Sequence, residues 1–188
     1  MIISRTPFRI SFFGGGTDYP VWFKEHGGAV LATTIDKYCY LSCRHLPPFF
    51  EHKTRIAYSK IEHAKSNADI EHPSVKGVLQ YLNITEGLEI HHDGDLPART
   101  GLGSSSSFTV GLLNALYAMQ HRMATKSELA QAAIHVEQNV LQESVGCQDQ
   151  VLAAHGGFCR LTFSQSGDIG YTPLIIKPER LHAFHDHL

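Results

Sequence analysis

The stretch DLPARTGLGSSSSFTVGLLNALYAM, residues 95–119, decides how this chain is read. Two glycines and four consecutive serines give way abruptly to a strongly apolar, helix-forming run. The first four N–H groups of a helix have no internal partner, and the helix dipole adds partial positive charge at that end, so it attracts phosphate oxygens. Gly101 and Gly103 let a ligand approach the backbone closely, and serine hydroxyls add donors together with an oxygen suited to Mg²⁺. A nucleotide triphosphate fits such a loop. The plainer reading of the same residues is a serine-capped helix after a flexible turn. No GK[ST] follows the glycines, so the lysine of the common phosphate loop is missing and another cation must do its work.

Working outward, alternation in IISRTPFRISFF predicts a first strand ending near Phe13, followed by a glycine-rich turn in GGGTDYP. AVLATTIDKYCYLSCRHL reads as a long extended region and RIAYS as a further short strand. In SVKGVLQYLN the apolar positions Val75, Val78, Leu79 and Leu82 recur at helical spacing, with Ser74 as the cap. GLEIHHDGDLP reads as strand plus loop. The serine run opens a helix through about His121, and a second long helix is expected from Ser127, with Leu141 among its apolar positions. QDQVLAAHGG reads as a short helix closed by glycine, and GFCRLTFS with IGYTPLII as a hairpin around SQSGD. The order is that of an α+β domain. PERLHAFHDHL begins one more helix. Residues 1–175 are therefore expected to form one domain, and 176–188 the start of a helix that continues or docks further on, with a frayed terminus as the rival reading.

Composition narrows the classes. The 188 residues are 43% hydrophobic and 18% charged, as in an ordinary globular protein, with apolar runs too short for a membrane span. The amino terminus has early charge, an internal proline and no small-residue cleavage site, so it reads as a strand and the chain as cytoplasmic. A net charge of -2 with scattered Lys and Arg offers no basic field for nucleic acid. Cys39 and Cys43 fall on one face of a strand and, with Cys147 and Cys159, read as buried reduced thiols. His182, His185 and His187 are spaced three and two apart, which shares no helix face, so a solvated segment is expected over a metal site.

DLPARTGLGSSSSF, RTPFRISFFGGGTDYP and VGCQDQVLAAHGG, read together, resemble the three-part signature of the GHMP kinases, in the same order and with the same spacing. The GGGTD and GCQDQ versions are most similar to the D-glycero-D-manno-heptose 7-phosphate kinases and related sugar 1-kinases. The likeness spans nearly the whole chain. It implies the family's amino-terminal fold, a ribosomal-protein-like sandwich with a left-handed βαβ unit, whose hand breaks the usual crossover rule. It also implies that the family's carboxy-terminal domain is absent from this sequence.

The same resemblance implies roles. Asp149 stands where the family has its catalytic aspartate, as base or electrostatic orienter of the attacking hydroxyl. Arg9 matches the basic residue that sits near it and offsets developing charge. Pro97, Gly101, Leu102, Gly103, Ser104, Ser105 and Ser106 would hold ATP. Gly15, Gly16, Thr17 and Asp18 would meet the sugar, Asp18 by analogy with the TDY of galactokinase. Ser105 and a glutamate on the following long helix would hold Mg²⁺. Glu137 is preferred, although its distance to the aspartate is one residue longer than in mevalonate kinases, and Glu143 stays open. Arg5, Lys37 and Arg44 are candidates for a substrate phosphate.

The function implied is transfer of the γ-phosphoryl group of MgATP to a hydroxyl, the anomeric one by preference, of a hexose or heptose derivative such as D-glycero-D-manno-heptose 7-phosphate. A truncated, noncatalytic nucleotide- or sugar-binding module is the alternative, and a histidine metal site a weaker third. The partners expected are the sugar or sugar phosphate and ATP, with a homodimer allowed for and with neither nucleic acid nor membrane.

Overall fold

The computed structural model describes residues 1–97 and 100–186, for His185 the backbone alone. A mixed sheet carries the architecture. Strand β1 (Ile2–Phe13) runs antiparallel along one edge of β2 (Gly28–His45). The other edge of β2 is shared: β5 (Leu88–Gly94) pairs with Cys39–His45, and β6 (Phe158–Phe163) with Gly28–Thr33. Beyond β5 lie β3 (Thr54–Ala57), parallel to it, and β4 (Ile61–Ala64), antiparallel to β3. Beyond β6 lies β7 (Ile169–Pro173), which closes the expected hairpin. Eighteen residues in β2 exceed the common strand length, and the β-branched and aromatic content of that segment is what sustains it.

The helices are α1 (Pro20–His26), α2 (Pro73–Tyr81), α3 (Ser104–Met119), α4 (Lys126–His135), α5 (Gln148–His155) and α6 (Pro178–His185). Helix α3 is central. Side chains from Ser106 to Tyr117, Asn114 apart, are buried, so it is enclosed nearly all round by β1, β2, α2, α4 and α5. Leu112, Leu113 and Leu116 are fully buried in a core that includes Leu41, Ile90 and Val78, each contributing about 1.5–3 kcal/mol by leaving water. A second cluster joins Val30, Ala32, Leu152, Leu161 and Phe163 under α5. On α6 the Phe184 ring meets those of Phe12 and Phe158 at 5.3 and 5.1 Å.

Several elements differ from the sequence expectation. PVWFKEH is the helix α1, not part of a turn and an extended run, because Pro20 stands in its first turn and Gly27 ends it. The four-residue β4 was not expected at all. Helix α2 is capped by His72, whose Nδ1 accepts from the Val75 N–H, and not by Ser74. Helix α4 is capped by Thr125 and not Ser127: the Thr125 hydroxyl accepts from Glu128 N–H and the Glu128 carboxylate from Thr125 N–H. It does not run on regularly to Leu141, since residues Val136–Val140 form a π turn. A π turn takes up one residue more than an α-helical turn.

Between Pro7 and Arg9 the pairing of β1 with β2 shifts register, from Pro7 opposite Tyr38 to Arg9 opposite Thr34. Before the bulge the buried Ser4 and Thr6 lie opposite Leu41 and Cys39. After it Ser11 lies opposite the buried Ala32. The face that meets the helices thus passes from even to odd positions, which turns Arg9 and Ser11 toward α5.

Candidate active site

The loop 101–107 opens the central helix as expected. Gly103, at φ +77, is its N-cap, a left-handed conformation that glycine adopts without strain. No side chain caps this end, so the N–H groups of the first turn face a cavity of about 600 Å³ lined by Gly101, Gly103, Ser104 and Ser105. The serines divide their work. Ser104 and Ser105 line the cavity, whereas Ser107 Oγ donates to Pro7 O at 2.8 Å and Ser106 Oγ donates to Glu137 Oε2 at 3.0 Å. Ser106 therefore tethers the helix, and its hydroxyl is turned from the phosphate loop onto the glutamate.

Arg9 and Asp149 meet at this loop. Arg9 Nε donates to Asp149 Oδ1 at 2.6 Å and Nη2 to Oδ2 at 2.7 Å, a bidentate pair with side chains 12% and 25% exposed. Arg9 Nη1 donates to Gly101 O at 2.7 Å, and the Arg9 N–H to Leu102 O at 3.0 Å. A Cβ placed on Gly103 would lie 3.5 Å from Asp149 Oδ2, so carboxylate and glycine loop are neighbours.

Arg9, Ser105, Asp18, Glu137, Glu143 and Asp149 line a smaller cavity of about 200 Å³. Glu137 is 1% exposed. Its Oε2 accepts from Ser106 and Gln150, and its Oε1 is buried with no partner among the described residues. Burial pushes this carboxyl above the ordinary range, the nearby Glu143 charge adds to the push, and the hydrogen bonds from Gln150 and Ser106 pull part of the way back. Glu143 is half-buried, and its N–H donates to Glu137 O, so the π turn carries both candidates to one cavity. Among the described residues no three His, Cys, Asp or Glu side chains gather to hold a metal unaided. One orphaned carboxylate oxygen beside a serine nonetheless suits Mg²⁺, which draws its remaining ligands from phosphate and water.

The expected sugar residues are placed differently from one another. Gly15 lines a third cavity of about 590 Å³, next to Ser11, Phe12 and Gln148. Gly16 is exposed. The Thr17 hydroxyl closes the turn: it lies 2.8 Å from Gly14 O and accepts from Ala29 N–H at 3.1 Å. Asp18 is 1% exposed, and its carboxylate accepts from Gly16 N–H, Gln148 N–H and Gln148 Nε2 at 3.1–3.2 Å. Gly146 makes room for it, since a Cβ there would fall 1.9 Å from Asp18 Oδ2. Pro97 is exposed.

Arg5, Lys37 and Arg44 are not brought together. Arg5 lies over the Tyr38 ring, Arg44 pairs with Glu89, and Lys37 is exposed. All four cysteines are free and buried, and burial pushes Cys39 and Cys43 up to about 12 and Cys159 to about 11, far from a reactive thiolate. His182 is solvent-exposed and 3.6 Å from Asp186, and His187 lies outside the described residues.

Sequence reasoning missed the aromatic wall of the large cavity. The His72 ring stacks on Phe108 with centroids 4.6 Å apart, and His92 meets Phe108 edge-on at 5.1 Å. Burial lowers both imidazoles below the ordinary value, so the wall is uncharged near neutrality. These residues come from three separate elements, and no spacing joins them in the chain.

Residues 73–157 match the family described as the GHMP kinases N terminal domain. The fold is that of this domain, α+β with the parallel β3–β5 pair linked through α2. Within that class the chain is similar to heptose phosphate kinases. It is 28% identical over 185 residues to the D-glycero-alpha-D-manno-heptose 7-phosphate kinase of Campylobacter jejuni, covering 94% of this chain and 55% of the relative. A crystal structure of a D-glycero-D-manno-heptose 1-phosphate kinase from Bacteroides thetaiotaomicron superimposes with a TM-score of 0.84 at 28% identity, over 94% of this chain and 61% of that one. The Methanococcus jannaschii mevalonate kinase shares the fold at a TM-score of 0.69 and 18% identity, over 95% of this chain and 57% of that one. The chain thus spans little more than half the length of the relatives it matches. No helix among the described residues is long and apolar enough to cross a membrane.

Proposed function

We propose that this chain carries the nucleotide site and catalytic pair of an ATP-dependent sugar kinase, one that moves the γ-phosphoryl group of ATP to a hydroxyl of a heptose or hexose derivative. The anomeric hydroxyl of D-glycero-D-manno-heptose 7-phosphate is the acceptor favoured, by likeness to the relatives. One observation carries the reading: the uncapped amino end of α3 and the Asp149 carboxylate, held by Arg9, face the same cavity.

Each part has a task. The free N–H groups of the first turn, with the Ser104 hydroxyl, bind phosphate oxygens, and the helix dipole favours their charge. His72, Phe108 and His92 offer a flat, uncharged surface that suits the nucleotide base. Arg9 fixes both Asp149 oxygens in the plane of its guanidinium, so the carboxylate is held in one orientation toward the acceptor hydroxyl, whose proton it receives or steers. The guanidinium N–H groups left over offset charge on the transferring phosphoryl. Ser105 and Glu137 would hold Mg²⁺, which when bound supplies neutralisation of the β and γ phosphates. Nothing in this scheme needs a membrane or a nucleic acid, and a cytoplasmic setting supplied with MgATP is the one it fits.

The test is Asp149→Asn, assayed for sugar-dependent ATP consumption and, separately, for binding of a non-hydrolysable ATP analogue. Loss of turnover with analogue binding retained supports the reading. Analogue binding by the wild-type chain with no transfer to any heptose or hexose favours a noncatalytic module.

A further inference from the structure

Two residues that line the third cavity each carry a buried polar atom that the fold leaves unused. Ser11 Oγ and Gln148 Oε1 are both buried without a hydrogen-bond partner among the described residues, and both residues line the cavity of about 590 Å³ beside the Gly14 and Gly15 turn. Buried polar atoms without partners are rare in native proteins, since each costs about 1–3 kcal/mol. A pair of them in one open cavity asks for a ligand. The two side chains also converge: a Cβ on Gly15 would lie 3.8 Å from Ser11 Oγ and 3.9 Å from Gln148 Nε2.

The orientation of Gln148 is set from behind. Its N–H and Nε2 both donate to the Asp18 carboxylate, which directs the amide carbonyl away from Asp18. Asp18, though read from the sequence as the residue that meets the sugar, has its oxygens committed to Gln148 and to Gly16 N–H. Arg9 lines this cavity too, with three of its five guanidinium N–H groups already committed to Asp149 and Gly101 O, and no other charged side chain lines it among the described residues.

We infer that Ser11 Oγ and Gln148 Oε1 are the specificity-determining contacts for the uncharged polyhydroxyl part of the acceptor, and that Asp18 is a positioning residue acting through Gln148. The hydroxyl of Ser11 donates or accepts and the Gln148 carbonyl accepts, so together they match neighbouring sugar hydroxyls. Arg9 and Gly101 border this cavity and the nucleotide cavity alike, which puts the acceptor next to the catalytic arginine. The inference rests on the kinase reading above.

The test uses the ¹⁵N-labelled chain with three probes: a non-hydrolysable MgATP analogue, D-glycero-D-manno-heptose 7-phosphate, and mannose as an uncharged polyol. Binding is read by calorimetry and by amide shifts around Ser11, Gly15 and Gln148. Ser11→Ala and Gln148→Met each weaken both sugars about tenfold, the worth of one lost hydrogen bond, and leave analogue affinity unchanged. Gly15→Ala folds normally, because its Cβ makes only ordinary contacts at a φ open to alanine, yet it adds a methyl group beside Ser11 Oγ and the Gln148 amide and also weakens both sugars. Asp18→Asn weakens sugar binding alone but adds nothing in the Gln148→Met background; a merely structural Asp18 would lower thermal stability and analogue affinity together. Unchanged sugar affinity in Ser11→Ala, Gln148→Met and Gly15→Ala overturns the inference. A wild-type chain that binds the analogue but neither sugar also overturns it, leaving the nucleotide reading intact. Failure to bind the analogue sinks the kinase reading and this inference with it.

Discussion

Arg9 and Asp149, 140 positions apart, are joined by two parallel hydrogen bonds of 2.6 and 2.7 Å. Neither element could aim its residue alone. The register shift after Pro7 turns Arg9 toward the helices, and the first turn of α5 presents Asp149 to it. A lysine at position 9 would keep the charge and lose the planar fork. Arg9→Lys is expected to leave the fold intact and lower sugar phosphorylation roughly a hundredfold, mainly in kcat, measured by coupled assay in a protein competent for transfer.

Glu137 bears a raised proton affinity in the folded chain, chiefly from burial. The native state then holds its proton more tightly than the unfolded state, so stability falls as pH rises from the ordinary carboxylate value through the raised one, and stays lower above it. Glu137→Gln should flatten that slope and stabilise the ligand-free chain by about 1–3 kcal/mol above the window. It should also abolish the gain in ATP-analogue affinity that Mg²⁺ brings. Thermal melts against pH, with and without Mg²⁺ and analogue, check both halves.

The two neighbouring serines should separate cleanly. Ser106→Ala removes a buried bond to Glu137 and is expected to cost about 1 kcal/mol of stability. Ser105→Ala should leave the melting temperature unchanged and weaken the Mg²⁺-dependent part of analogue binding about tenfold. Equal losses of stability in the two variants would count against the division of the serine run.

Burial lowers His72 and His92 below the ordinary histidine value of 6.5. For such groups the unfolded state takes up protons first, so stability present above pH 6.5 is lost as pH falls from there through the depressed folded values. His92→Phe keeps the aromatic contact with Phe108 and should reduce this acid sensitivity, read as a smaller drop in melting temperature between pH 7 and pH 5. An unaltered drop would show that His92 does not titrate in that window.

The central helix and its glycine-serine entry were legible because each is a local matter of periodicity, turn chemistry and the absence of internal partners at a helix end, whereas the three signature segments were legible only by resemblance. Helix α1 and strand β4 were not, since seven and four residues carry too little pattern to outweigh their mixed propensities. Asp18 and Ser106 were recognised as special residues, and the structure shows their polar groups turned inward, onto Gln148 and Glu137. A signal for Ser11 did exist, two positions after Arg9 on the same strand face. Gln148, beside Asp149, had only its proximity.

The order of residues by itself determined an α+β chain with a glycine-serine helix start at Gly103, because turn chemistry and periodicity are short-range, while Asp149 and Arg9 were singled out only through the resemblance to a known signature. Which hydroxyl faces the cavity, which glutamate oxygen is left bare, and that Asp18 orients Gln148 were decided only by tertiary structure. A break in the β1–β2 pairing and a π turn after α4 each change the face a residue presents, exchanging inward for outward along the strand and rotating the face of the helix.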